Sequence, residues 1–190
     1  MSNSSFGFIS NEILRQNLDE SFDHIVNLLP LIESGIYSDA AARAFRKTCV
    51  IYTASIIEAL LFHIIDTQLS DEDLTDYTWK LSNKKRLFLV DDTYEIVAGD
   101  YKKEGKLLEK DKLNLGQICK ILKDKKILTK SLFEKIDKVR ILRNGQHIGP
   151  NTSIRQYTKT DLQKAFSVAS DVKTFTTSSP QSNATLTTIR

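Results

Sequence analysis

Residues 140–147 read Arg140-Ile-Leu-Arg143-Asn144-Gly145-Gln146-His147. Two guanidiniums, an amide and an imidazole in one short stretch are groups that can bind and cleave a phosphodiester. RNA cleavage needs no metal when the 2′-hydroxyl is the nucleophile. It needs a base for that proton, an acid for the leaving 5′-oxygen, and positive charge on the phosphorane. A histidine titrating near neutrality suits either proton transfer. An arginine suits the third task, because its planar fork matches phosphate oxygens and stays protonated.

Spacings of three, four and seven put residues 140, 143, 144 and 147 on one face of a helix. Upstream, Leu132, Ile136 and Val139 mark a buried stripe, whose continuation predicts apolar residues near 140 and 143. Arginines stand there instead. A competing reading is a helix C-terminus, where cations complement the dipole and a His can bond the last carbonyls. Gly145 fits a helix end or a close backbone approach. Both readings stay open on the residues alone.

The elements that must position this cluster read as helices. Residues 11–35 carry Ile13, Leu18, Phe22, Ile25, Val26 and Leu29 at helical intervals, with Asn11 as cap, Pro30 as a kink or split, and Gly35 as the end. Ser38-Asp39 open a long helix to about 69, whose seam through Ala42, Phe45, Cys49, Tyr52, Ile56, Ala59 and His63 makes it central. Ser70 to Asp73 form an acidic start for a further helix carrying Leu74, Tyr77, Trp79, Leu81 and Leu87. Residues 91–111 read as a loop or small hairpin inserted in the bundle, with 93–98 as a short strand. A helix starting at Asn114 or Leu115 runs to about Lys125. Thr129 caps one from Lys130 to about Ile148, and Asp161 to Thr174 forms the last. Residues 1–10 read as a flexible start, 11–173 as one helical domain, and the Ser/Thr-rich 174–190 as a disordered tail.

Composition bounds the class. The chain has 190 residues, 41% hydrophobic and 27% charged, with 7 Gly and 3 Pro, as expected of a soluble helical protein. Cys49 and Cys119 suggest neither a disulfide framework nor a zinc site, which favours a reducing cytoplasm. The first ten residues lack a basic start and an apolar segment, so no secretory signal is expected. Val50 to Ile65 contains Glu58 and His63 and reads as a buried helix, with no membrane association. The net charge of +3 hides a polarity: residues 1–101 hold 8 Lys+Arg and 16 Asp+Glu, whereas 102–143 hold 14 and 6. A basic segment leading into the Arg/His cluster suits a polyanion such as RNA, and a solvated lysine face is the plain alternative. Glu58, in a run apolar on all sides, needs a partner, and Arg140 or Arg143 is the candidate. No metal-binding, Walker-loop or Ser-His-Asp pattern is present, so no cofactor and no metal are expected.

These residues resemble the HEPN domain (higher eukaryotes and prokaryotes nucleotide-binding), whose hallmark is an Arg, four to six variable residues, then a His. Arg140 with six residues before His147 fits that spacing. Arg143-Asn144 is similar to the family's Arg-Asn pair, with three residues before His147, so either arginine could be the catalytic one. Thr53-Ala-Ser-Ile-Ile-Glu58-Ala-Leu-Leu61 resembles the family's earlier helix, and Leu115 to Leu122 the helix before the motif. The resemblance covers about residues 40–150.

It implies an all-α, HEPN-like helical bundle and a metal-independent endoribonuclease working by 2′-hydroxyl transesterification. His147 would handle protons, Arg140 or Arg143 would hold the phosphate, Asn144 would position one of them, and Glu58 would orient the guanidinium. It also implies a homodimer through the motif helix. Biologically it implies a toxin or antiviral-defence role, with a possible antitoxin or regulatory partner. The alternative is a non-catalytic HEPN-like module for RNA binding, dimerisation or interaction.

Overall fold

The computed structural model describes residues 4–145 and 156–179. It contains five α-helices and one antiparallel β-hairpin: α1 (Glu12–Glu33), α2 (Asp39–Gln68), β1 (Thr75–Leu89), β2 (Glu95–Leu107), α3 (Leu115–Asp124), α4 (Lys130–Asn144) and α5 (Lys159–Ser178). The expectation of an all-α bundle is therefore corrected to a mixed α/β fold. The chain divides into two compact units, a helical one of Met1–Gln68 with Asn114–Arg190 and a ribbon of Leu69–Leu113.

In the helical unit, α2 is the centre. Eleven of its residues are buried, from Cys49 through Ile65, and they lie on more than one face. It packs against α1, α3, α4 and α5. By length and composition α2 could cross a membrane, but 61% of its apolar window is buried inside the protein. A helix surrounded by others must be apolar all round. Its buried hydroxyl, Thr53 Oγ1, donates to the Cys49 carbonyl at 2.7 Å, so no polar atom is stranded there.

Helix ends follow local capping chemistry. The Asn11 side chain accepts from the Leu14 N–H. Asn114 and Gln117 form a reciprocal capping box, as do Thr158 and Asp161, and Thr129 accepts from Leu132. Pro30 does not split α1, which continues to Glu33. Phe6 and Ile9 are buried, so this part of the start, read as flexible from its polar composition, supplies core side chains. Thr174 to Ser178, assigned to the tail by composition, belong to α5, with Thr176 buried. The rest of that expected tail, 180–190, lies outside the described residues.

The largest correction concerns residues 70–90, expected to be helical. Ser70 to Asp73 instead close a local turn, with the Asp73 carboxylate accepting from the Ser70 N–H at 3.0 Å and from its hydroxyl at 2.8 Å. Thr75-Asp-Tyr77-Thr-Trp79-Lys-Leu81 then alternates, with β-branched and aromatic residues on one face. That period of two prevails over the looser spacing of Leu74, Tyr77, Trp79, Leu81 and Leu87 on which the helical expectation rested. The loop or small hairpin expected within 91–111 is instead the second half of a long hairpin that starts at Thr75. Its strands pair from Thr75↔Leu107 to Leu89↔Glu95. At the tip, the Asp91 carboxylate accepts from the Thr93 N–H and hydroxyl and the Tyr94 N–H. Those bonds, the Thr93 hydroxyl first, hold its pKa below the usual carboxylate value.

Candidate phosphate-binding site at the end of helix α4

Helix α4 carries Arg140, Arg143 and Asn144, and its core stripe does not run out where expected. Ile136, Val139 and Leu142 are all buried. Leu142 occupies the place expected of residue 143, so Arg140 and Arg143 flank the stripe. The helix stops at Asn144, whereas the sequence suggested about Ile148. Gly145 is the C-cap with φ −64°, and its N–H donates to the Ile141 and Arg143 carbonyls. Gly145 therefore acts as a helix end and needs no left-handed backbone. His147 lies outside the described residues, so the shared helical face holds for residues 140, 143 and 144 only.

The two arginines turn to different neighbours. Arg143 Nη1 donates to Glu58 Oε2 at 2.6 Å, joining α4 to α2. Both are partly buried, with side chains 30% and 23% exposed. Glu58 thus has the kind of partner that a carboxylate in an apolar run requires. Arg140 Nε donates to Asp137 Oδ1 at 2.7 Å, one turn back on α4. Its side chain also lies over the start of α3, where a Cβ on Gly116 would meet Arg140 Cδ at 3.4 Å. Asn144 is exposed.

Arg140 borders a basin of about 370 Å³ between α3 and α4. Lys120, Lys123, Asp124, Phe133 and Asp137 line it, with Cys119 as a buried member. Lys123 Nζ sits 4.3 Å from the centroid of the Phe133 ring. The span Leu115–Asn144 carries nine Lys+Arg against three Asp+Glu, so the helix pair is basic overall, with Asp124 and Asp137 also lining the basin. Burial, then Asp137, pushes the Cys119 thiol up to about 12, with Arg140 opposing. A thiol that ionises so late is no nucleophile at neutral pH. Among the described residues no group of three or more His, Cys, Asp or Glu could hold a metal ion.

A buried tie also holds the C-terminal end of α4. Tyr157 donates its hydroxyl to the Leu142 carbonyl at 3.0 Å, and Arg46 Nε of α2 donates to the Tyr157 carbonyl at 2.9 Å. One of the last carbonyls of the helix is thereby satisfied.

No family model, curated protein or solved structure matches this chain. The resemblance to HEPN domains thus rests on the short motifs alone.

Sequence reasoning singled out Glu58, Arg140, Arg143, Asn144 and His147, the last outside the described residues. It missed Lys120, Lys123, Asp137 and Tyr157. Asp137 was legible as the i−3 neighbour of Arg140. The lysines were visible only as part of a basic segment, and an isolated Tyr157 carried no signal.

Proposed function

We propose that this chain binds RNA on the basic helix pair of α3 and α4 and cleaves it by 2′-hydroxyl transesterification. The observation that carries the reading is the division of labour between the arginines. Arg143 reaches across to Glu58 of α2, whereas Arg140, paired with Asp137 on its own helix, borders a basin also lined by Lys120 and Lys123. Arg140 is therefore the phosphate ligand, and it is also the arginine with the longer spacing to His147. The Glu58–Arg143 pair holds the end of α4, from which Asn144 and His147 follow. In the reaction the 2′-oxygen forms a bond to phosphorus and the bond to the 5′-oxygen breaks. His147 transfers one of the two protons, and the second passes through water or the His147 of a second copy. The products are a 2′,3′-cyclic phosphate and a 5′-hydroxyl. A cytoplasmic toxin or antiviral-defence role under a regulatory partner follows from the same motif resemblance.

A second reading has its own observation. Both arginines already hold carboxylates, Asp137 at 2.7 Å and Glu58 at 2.6 Å, as in a purely structural helix end. The chain would then be an interaction or RNA-binding module without catalysis. The deciding experiment incubates the purified protein with total RNA in EDTA, beside His147→Ala, Arg140→Ala and Arg143→Ala, with circular dichroism to check folding. Cleavage that persists in EDTA and is lost in folded His147→Ala and Arg140→Ala supports the nuclease. Absence of cleavage by the wild type, or equal cleavage by every variant, supports the module.

A further inference from the structure

The β-ribbon has two unlike faces. Directly paired residues share a face, so Tyr77, Trp79 and Leu81 lie with Tyr101, Lys103 and Leu107, while Asp76, Thr78 and Lys80 lie with Lys102, Glu104 and Lys106. The first face stays open, with Trp79 64% and Tyr101 69% exposed. Among the described residues the sheet has these two strands, and a lone two-stranded ribbon is marginal in water. Both outer edges are unpaired among the described residues. The β2 edge is guarded by Lys102, Lys103 and Lys106, whereas regular pairing over Thr75–Ser82 of β1 includes one lysine only, Lys80.

That segment is complementary to itself. Its charged residues are Asp76 and Lys80, two positions either side of Thr78; three acids at 71–73 precede the strand, and three bases at 84–86 follow the register shift after Ser82. The pattern inverts about Thr78. An antiparallel copy of β1, centred on Thr78, sets Asp76 opposite the partner's Lys80 and Tyr77 opposite the partner's Trp79. By symmetry each of these contacts occurs twice. On the polar face the paired row reads Lys106, Asp76, the partner's Lys80 and the partner's Lys102, and the partner's Glu104 reaches its own Lys80 diagonally at 2.7 Å, offsetting the neighbouring Lys102. The lysine-guarded β2 strands become the outer edges, so the assembly closes at two copies and does not grow into a fibre.

We infer that a second copy of this chain docks on the β1 edge, forming a two-fold, four-stranded sheet through Thr75–Ser82. The inference stands independently of RNA cleavage and of any contact through α4. Sedimentation velocity over a micromolar concentration series is the first measurement, and a dimer is expected. Asp76→Lys alone or Lys80→Asp alone sets like charges opposite each other twice and should weaken the dimer by about tenfold or more. The double variant Asp76→Lys/Lys80→Asp restores opposite signs and should recover most of that loss, whereas intrachain effects at Lys106 and Glu104 would not be rescued. Thr78→Cys adds an exposed thiol at the two-fold, where the Cα separation of about 4.5–5.5 Å between opposed residues suits a disulfide. It should cross-link to itself under mild oxidation, and the tip variant Asp92→Cys should not. Circular dichroism checks that all variants fold. A monomeric wild type, a dimer insensitive to the charge variants, or equal cross-linking at positions 78 and 92 would overturn the inference.

Discussion

The ion pair between Glu58 and Arg143 should be a measurable strut. The 2.6 Å contact places the charge centres about 4 Å apart, for which Coulomb's law gives about 4 kcal/mol at an effective dielectric of 20. Desolvation and the ordering of two long side chains oppose that gain. With 30% and 23% exposure, the pair falls between a surface bridge, worth at most about 1 kcal/mol, and a buried one, whose breaking costs about 3–5 kcal/mol. A double-mutant cycle on Glu58→Ala and Arg143→Ala should therefore give a coupling of about 1.5–2 kcal/mol. Urea unfolding followed at the helical circular-dichroism band reads it, with unchanged m-values as the check on two-state behaviour. The single Glu58→Ala variant should lose about 2 kcal/mol, since it leaves a partly buried guanidinium without its carboxylate. A coupling of about 0.3 kcal/mol or less would refute the reasoning, because the pair would then behave as solvent-exposed charges.

Three further outcomes are expected. His63 is buried, and desolvation lowers its pKa against a smaller opposing effect of Asp66. The unfolded chain then binds the proton first, so this contribution is complete above about pH 6.5 and declines as pH falls towards the folded value. His63→Gln should flatten the stability slope between neutral and mildly acid pH; an unchanged slope would place the titration elsewhere. Tyr157→Phe leaves the Leu142 carbonyl without its donor and should cost about 1–2 kcal/mol in the same denaturation assay; no loss would mean that water replaces the hydroxyl. Burial pushes the Cys49 thiol up to about 11 and that of Cys119 to about 12. Both should resist a thiol reagent at pH 8 until the protein is unfolded, and rapid labelling of the native protein would show that the core opens readily.

The sequence carried its information unevenly. Helix α2 was legible because a run apolar on several faces has one economical packing, at the centre of other helices. Asn11, Asn114 and Thr129 marked helix starts because a cap depends on neighbours within four residues. Glu58 announced the need for a partner, but the choice of Arg143 over Arg140 depended on how α2 and α4 cross. The ribbon was misread where two periods overlap: Tyr77, Trp79 and Leu81 alternate, while Leu74, Tyr77 and Leu81 also fit a helical turn. The acidic Ser70–Asp73 stretch added to the error, since a side-chain-bonded turn and a helix start draw on the same residues. The end of α4 turned on Gly145 alone, whose meaning depends on the bonds its N–H makes.

The ribbon also says something about how such a chain can change. Leu108 N–H donates to the Leu74 carbonyl at 3.0 Å, so the two strands enter and leave through one hydrogen-bonded neck. The flanking helices α2 and α3 pack against each other. The hairpin is therefore a cassette. It can be lengthened, trimmed or exchanged between related chains without rethreading the helices. Selection can thus alter the ribbon while the arginines at the end of α4 keep their supports.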